Sequence, residues 1–292
     1  MYHLLLLTDT GKVIGHGQNG HGQLGTSTPS LPVPGLESID QVCARGNSSC
    51  AVDSLGRVYV WGDNSLGQIG IEGYNGQRIH TPVLLGISGV SPSPGSWVEM
   101  GTDRMYVVTA MGDTYGSGNN ADGRLGIGVQ TRAVKAMQKI NIKGVVKIGV
   151  GRTTTIFLDR DCKLWLTTPS GLSLRPGHYT DCSAGDHPIA LSPSGTIHIF
   201  IPNTPPRIFT LSHSIHSLQA QGNILTGIDS NRRLWTVDID REGRVGTGEV
   251  IEDRAVGAYG LGHGYIVGVL LGVECRVECR VEIERRCMCR CK

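Results

Sequence analysis

The sequence of 292 residues has little phenylalanine, few charged residues and no long hydrophobic segment. It contains 3 Phe, and Asp, Glu, Lys and Arg together make up 18% of the chain. No stretch approaches the roughly 20 apolar residues that a membrane-spanning helix requires, and no long apolar pattern has the helical period. The formal net charge is +2, so no overall field attracts nucleic acid or an acidic substrate. These absences weigh against a helical, membrane-spanning or strongly nucleic-acid-binding protein.

Motifs of the common catalytic and cofactor sites are also missing. The sequence has no phosphate-binding loop, no dinucleotide fingerprint and no HExxH zinc motif. Serine, histidine and cysteine residues do not stand in a recognisable catalytic context. We therefore expect a protein that performs no covalent chemistry and needs no cofactor.

The nine cysteines do not indicate a disulfide framework. Their number is odd and no secretion signal is visible, which is typical of reduced thiols in an intracellular protein of the nucleus or cytoplasm. Five of them lie in the last 18 residues, but their spacing matches no paired CxxC zinc module. We predict no metal site, and a metal-binding or redox role of this tail is the weaker alternative.

Glycine is abundant, with 42 residues against a usual share of roughly 7%. Many recur in one pattern: HGQNGHGQLG (16–25), WGDNSLGQIG (61–70) and SGNNADGRLG (117–126). Before each segment stand an apolar run, a turn that ends in Gly11, Gly56 or Gly112, and a second apolar run. This order predicts strand, tight turn, strand and loop, because glycine adopts turn angles that other residues resist. The Asn of the loop can bond to its own backbone.

Weaker copies of the unit start near residues 154, 187, 224 and 263, with Cys162 and Arg232 in place of two turn glycines. Another short strand precedes most copies, as in IDQVCARG, WVEMGTD, VVKIGVG and AVGAYGLG. Units of this size cannot bury a face alone and must stack on their neighbours. Seven units of short antiparallel strands predict an all-β protein, a β-propeller of seven blades over residues 1–272. Because the fourth and fifth units are short, six true blades or a ring with one incomplete blade are the alternatives.

The first unit lacks its preceding strand, and the other end of the chain offers a candidate. VECRVECRVEI (273–283) alternates strictly between apolar and charged residues, which is the period of a strand with one buried face. We predict that this strand pairs near the N-terminal strands and helps to close the ring. Residues 273–292 then form a separate Cys-rich strand and tail.

VDSLGRVYVWGDNSLGQIG (Val52 to Gly70) resembles, nearly position by position, the repeat of the regulator of chromosome condensation family. The resemblance covers roughly residues 1–272 and is strongest over 1–126. It implies a seven-bladed β-propeller, which agrees with the count of units. It also implies binding of protein partners through loops at one face, and some members catalyse nucleotide exchange on Ran-type small GTPases.

In the family, polar and acidic residues near one set of turns contact the GTPase. The matching turns are 101–104, 151–154 and 185–187, so the resemblance implies Asp103, Arg104, Asp186 and His187 as partner-binding residues. The middle turn has no acid, and the third unit lacks the inserted β-wedge of the exchange factors. We therefore predict a non-catalytic interaction propeller, with exchange on a Ran-type GTPase and chromatin contact as the alternative.

A second candidate surface is basic. The segment RAVKAMQKINIKGVVK (132–147) holds one Arg and four Lys and no acid. If it faces outward, Arg132, Lys135, Lys139 and Lys143 are placed to meet an acidic partner: a chromatin protein, a GTPase or, as a weak contact, a phosphate backbone. The alternative is a solvated face without a partner. Aromatic residues are not interleaved with these cations, so single-stranded nucleic acid is not indicated.

Overall fold

A computed structural model describes residues 3–27, 31–74, 76–202, 204–210, 215–229, 231, 233–246, 249–252, 256–262 and 265–270. The predicted C-terminal strand at 273–283 and the tail cysteines lie outside these residues. The chain divides into two compact units, Met1–Gly177 and His178–Lys292.

Every regular element of the described residues is a β-strand, and all strands have four to seven residues except one of 11. No helix that could cross a membrane occurs in this part of the chain. The strands of the first unit are β1 (His3–Leu7), β2 (Val13–Gly17), β3 (Ile39–Arg45), β4 (Ser48–Asp53), β5 (Val58–Gly62), β6 (Ile79–Leu84), β7 (Trp97–Met100), β8 (Arg104–Val108), β9 (Asp113–Asn119), β10 (Ala133–Lys143), β11 (Val145–Val150), β12 (Thr155–Asp159), β13 (Leu164–Thr168) and β14 (Gly171–Arg175). Those of the second are β15 (Asp181–Ala184), β16 (Pro188–Leu191), β17 (Thr196–Ile199), β18 (Arg207–Thr210), β19 (Ile215–Gln221), β20 (Ile224–Asp229), β21 (Leu234–Asp238), β22 (Glu249–Glu252), β23 (Val256–Gly262) and β24 (Tyr265–Leu270).

Within each sheet, strands that follow one another in sequence pair antiparallel. Five sheets have four strands in chain order: β3–β6, β7–β10, β11–β14, β15–β18 and β19–β22. The pairs β1–β2 and β23–β24 form two-stranded sheets. The all-β propeller architecture is thus as predicted, and the strands expected before the repeat copies are β3, β7, β11 and β23.

The prediction of seven blades is wrong for the described residues, which form five four-stranded blades and two two-stranded sheets. Among the described residues, the first repeat copy contributes only β1 and β2, which correspond to the second and third strands of a four-stranded blade. The last copy contributes only β23 and β24 among the described residues.

The turn between the second and third strand of a blade has the left-handed geometry that the glycine pattern predicts. Gly56 has a φ of 77°, and a side chain there would collide with the Ser93 carbonyl. Cys162 takes the same place with a φ of 61°, a conformation that costs a residue with a Cβ about 1 kcal/mol.

A polar residue three positions before this turn residue caps the turn. Asp53 accepts hydrogen bonds from the Leu55 and Arg57 backbone N–H groups at 3.0 and 2.8 Å. The residues with the same role in other blades are Thr8, Thr109, Asp159, Ser192 and Asp229. Because Asp, Thr and Ser side chains all accept backbone N–H bonds, the repeat keeps this function without keeping one residue type.

The glycine-rich segment forms a closed loop around its asparagine. Asn64 is fully buried; its Oδ1 accepts from the Ile69 N–H at 3.1 Å and its Nδ2 donates to the Tyr74 carbonyl. Asn19 makes the corresponding bonds with Leu24 and Thr26, and Asn120 with Leu125 and Val129. The bonds of one side chain therefore hold both ends of each loop.

The same loop joins its blade to the following one in the first unit. The Gln23 carbonyl accepts from Ser49 Oγ at 2.7 Å and from the Trp61 indole N–H at 2.9 Å. The Arg124 carbonyl likewise accepts from Thr155 Oγ1 at 3.1 Å. Since Trp61 and Thr155 are fully buried, these bonds satisfy polar groups inside the interface of two sheets.

We expect Asn64→Ala to lower the free energy of unfolding by about 2–4 kcal/mol, because the buried Ile69 N–H loses its acceptor and the Tyr74 carbonyl its donor. Urea unfolding followed by Trp fluorescence measures this change. Asn141→Ala, at an exposed position of β10, is the matched control and should stay within about 0.5 kcal/mol of wild type. Equal stability of the two variants would contradict the role assigned to Asn64.

Candidate functional site

The antiparallel order brings two kinds of connection to one end of each blade. The turn between the first and second strands and the glycine loop between the third and fourth lie there together. We call this the turn end of a blade. The segments 101–104 and 151–154 lie at turn ends in the first unit, and 185–187 in the second.

Arg104, which the resemblance suggested as a partner contact, is fully buried. Its guanidinium donates to the Gly151 carbonyl at 2.6 Å, to Thr155 Oγ1 at 3.1 Å and to Asp103 Oδ1 at 2.7 Å. A buried cation must be paired and hydrogen-bonded to be tolerated. The structure therefore places Arg104 between two sheets rather than on a surface.

Asp103 is the counter-ion of this buried arginine. Beyond Arg104, its Oδ2 accepts from Asn119 Nδ2 at 2.8 Å and from Arg124 at 3.1 Å. Only 18% of the side chain is exposed. Its carboxylate is thus engaged by three side chains of its own unit.

Asp186 and His187 lie in the second unit. The Asp186 side chain is exposed, and its backbone N–H donates to the Gly222 carbonyl at 2.6 Å. His187 is partly buried, with Nε2 at 3.1 Å from the Asp240 carbonyl. Of the two acids implied by the resemblance, Asp186 is the one presented to solvent.

Most of the basic segment forms β10, the outermost strand of its sheet, and its last residues begin β11. Lys135, Lys139 and Lys143 are exposed on it, while Ile140 and Ile142 point to the core. Arg132, directly before the strand, is exposed as well. The fold therefore presents these four predicted residues together along one sheet edge.

Lys139 has contacts of its own on this edge. Its Nζ lies 3.1 Å from Asp113 Oδ1 and 6.0 Å from the centroid of the Tyr115 ring. An exposed ion pair of this kind contributes only about 0–1 kcal/mol, so a stronger partner can displace Asp113.

Three charged residues that the sequence pattern did not bring together lie on the first strands of three successive blades. Arg45 on β3, Glu99 on β7 and Lys147 on β11 are each partly exposed and interact electrostatically. Burial raises the pKa of Glu99 to about 7, although Arg45 and Lys147 act to lower it. Their distances in sequence from the following turn residues (Gly56, Gly112 and Cys162) differ, so repeat alignment could not have grouped them.

No three His, Cys, Asp or Glu side chains gather into a candidate metal site in the part of the chain that the structure describes. The candidate site is therefore defined by its exposed charged residues and by the geometry of its loops. Blades of four consecutive antiparallel strands, linked by recurring asparagine-closed loops, define a β-propeller repeat protein.

Residues 39–68 match the family model described as "Regulator of chromosome condensation (RCC1) repeat". This segment of the chain is thus a repeat of the regulator of chromosome condensation type. The resemblance of Val52 to Gly70 to that repeat is confirmed.

Relatives and solved structures agree with this assignment. The chain is 32% identical over 133 residues to human "Probable E3 ubiquitin-protein ligase HERC6", covering 43% of this chain and 13% of the relative. It is 28% identical over 165 residues to the zebrafish (Danio rerio) "Protein RCC2 homolog", covering 54% and 32%. The chain thus matches a third or less of the length of these relatives.

The fold is similar to that of Prp20p from Saccharomyces cerevisiae. The two structures superimpose with a TM-score of 0.71 at 19% identity, over 92% of this chain and 81% of that one. At this identity the likeness shows the fold and not the activity.

We expect Glu99 to make the protein less stable as pH rises. Its folded pKa of about 7 lies above its ordinary value of 4.5, so the folded state binds more protons between these values. The free energy of unfolding therefore falls through this window, by on the order of 1 kcal/mol because water screens a partly exposed group. Urea unfolding of wild type and Glu99→Gln at about pH 5 and about pH 8 measures the difference.

Glu99→Gln should lose less stability than wild type over this range. The exposed Glu72 supplies the matched control, and Glu72→Gln should follow the wild-type pH dependence. Parallel curves for wild type and Glu99→Gln would contradict the assignment.

Proposed function

We propose that this chain is a non-catalytic propeller that binds protein partners, and that the basic edge formed by Arg132 and β10 is a contact surface. The observation that carries the proposal is the exposure of four cations along one sheet edge. Such an edge fits an acidic protein surface, because complementary charge steers association and selects partners.

The geometry of β10 supports a surface rather than a scattered set of charges. Ile140 and Ile142 anchor the strand in the core, and Lys139 and Lys143 project from its other face. Lysines on an edge strand also discourage non-specific strand pairing. The lysines of β10 are therefore compatible with stable folding, and the proposed partner contact is a further role of the same residues.

We expect the triple variant Lys135→Glu/Lys139→Glu/Lys143→Glu to lose acidic partners. Affinity capture from an extract of the source cells, quantified by mass spectrometry, should show a salt-sensitive set of proteins bound by wild type. The triple variant should retain about tenfold less of that set, a loss of 1.4 kcal/mol in binding.

The matched control is Lys12→Glu/Lys163→Glu, which reverses exposed lysines elsewhere and should capture the same set as wild type. Equal capture by wild type and the triple variant would show that β10 is not a contact surface.

The alternative is nucleotide exchange on a Ran-type small GTPase, with chromatin contact through the basic edge. Its specific support is the likeness to Prp20p, whose structure report describes binding properties to Gsp1p and histones. Under this alternative, the exposed Asp186 and the neighbouring His187 face the GTPase. Asp103 and Arg104 stabilise the turn end of their own blade. A nuclear location favours this alternative, and a cytoplasmic one favours the interaction propeller.

Release of a fluorescent GDP from a Ran-type GTPase separates the two functions. Acceleration by wild type that falls at least about tenfold in Asp186→Ala would establish exchange. Asp186→Ala is preferable to Asp103→Ala, because removing Asp103 leaves the buried Arg104 without its counter-ion. Unchanged release in the presence of folded protein would exclude exchange and leave the partner-binding propeller.

A further inference from the structure

Two of the scattered cysteines meet across a pair of strands. Cys43 on β3 and Cys50 on β4 stand directly opposite each other in the antiparallel register. Residues directly opposite in such a pair have neighbouring side chains on one face of the sheet. Both are free thiols; Cys50 is buried, and Cys43 is partly exposed.

The register places the two cysteines within reach of a disulfide. Directly opposite residues of antiparallel strands have Cα atoms about 4.5–5.5 Å apart, and disulfides span roughly 4.4–6.8 Å between Cα atoms. The two thiols already interact: burial, and after it Cys43, raises the pKa of Cys50 well above its usual value. Bond formation therefore requires side-chain rotation and no displacement of a strand.

The surroundings tolerate the loss of the thiol proton. Cys43 Sγ lies 3.5 Å from the Val98 carbonyl of the next blade and donates to it. Gln41 Nε2 donates to the same carbonyl at 2.7 Å, and Gln41 Oε1 accepts from the Val98 N–H at 3.1 Å. When Cys43 stops donating, the Val98 carbonyl keeps its stronger partner and no buried acceptor is left unpaired.

We propose that Cys43 and Cys50 form a reversible cross-strand disulfide, with a hydroperoxide as the oxidant. Cys43 is the first thiol to react because it is accessible. Its sulfur attacks the peroxide O–O bond, giving a sulfenic acid and releasing an alcohol, or water from hydrogen peroxide. The Cys50 sulfur then displaces the hydroxyl of this sulfenic acid, which leaves as water with the Cys50 proton. A thiol reductant returns both cysteines to their free form by exchange.

The disulfide acts at a contact between two blades of the first unit. It closes the β3–β4 hairpin covalently and removes the hydrogen bond from Cys43 to Val98, while the Gln41 contacts remain. The chain thus carries a thiol pair whose oxidation state alters one link between the second and third blades.

Peptide mapping of the full chain tests the proposal directly. Folded protein is treated with hydrogen peroxide, remaining thiols are alkylated in denaturant, and the chain is cut with trypsin. Because Arg45 lies between the two cysteines, they fall in separate tryptic peptides, residues 13–45 and 46–57. We expect a linked pair of these peptides lighter by two hydrogens than their sum, lost on treatment with dithiothreitol.

Single-cysteine variants identify the steps. In Cys50→Ala, Cys43 has no partner and should be trapped as a dimedone adduct, while Cys43→Ala should leave Cys50 reduced. The proposal is overturned if wild-type Cys43 advances to sulfinic acid without the linked peptide. It is also overturned if Cys43 stays a free thiol at peroxide levels that oxidise the exposed Cys162. The wild-type map decides these outcomes even if a variant folds poorly.

Discussion

An asparagine side chain closes each of the three glycine loops, and the closed loop connects one blade to the next. Asn64 and Asn120 are fully buried in this role. Once the loop is closed, the Gln23 and Arg124 carbonyls point at donors of the following sheet. Because unpaired donors and acceptors in such an interface cost about 1–3 kcal/mol each, the stacking of successive blades depends on this loop geometry. The loop geometry therefore also determines where the turn ends of the blades lie.

The same constraint decides which charged residues remain for partners. Arg104 is paired with Asp103, and its guanidinium donates to Thr155 of the next blade, so the charges of both residues are used inside the protein. In the outer strand β10, by contrast, the Ile residues fill the core and the Lys residues face away from it, so the lysine charges stay at the surface. Exposed charge therefore collects at the sheet edge and at turn residues such as Asp186.

Much of the fold could be read from local patterns. Short apolar runs separated by glycine turns predicted the strands, and Cys162 in place of a turn glycine marked a left-handed position that the structure shows. The count of complete blades was wrong, since the number of repeat copies does not say how many strands each copy supplies. The candidate site was only partly predictable: the exposure of β10 followed from its charge pattern, but the burial of Arg104 did not.

The sequence by itself determined the repeat, its strand and turn order and therefore the propeller class, because these depend on backbone angles and on alternation within a few residues. Tertiary structure alone decided which distant groups meet. Cys43 lies opposite Cys50 through strand register, and Arg45, Glu99 and Lys147 come together through the stacking of three blades. Register and stacking follow from hydrogen bonds and packing between segments far apart in the chain, so a pattern within a few residues cannot predict them.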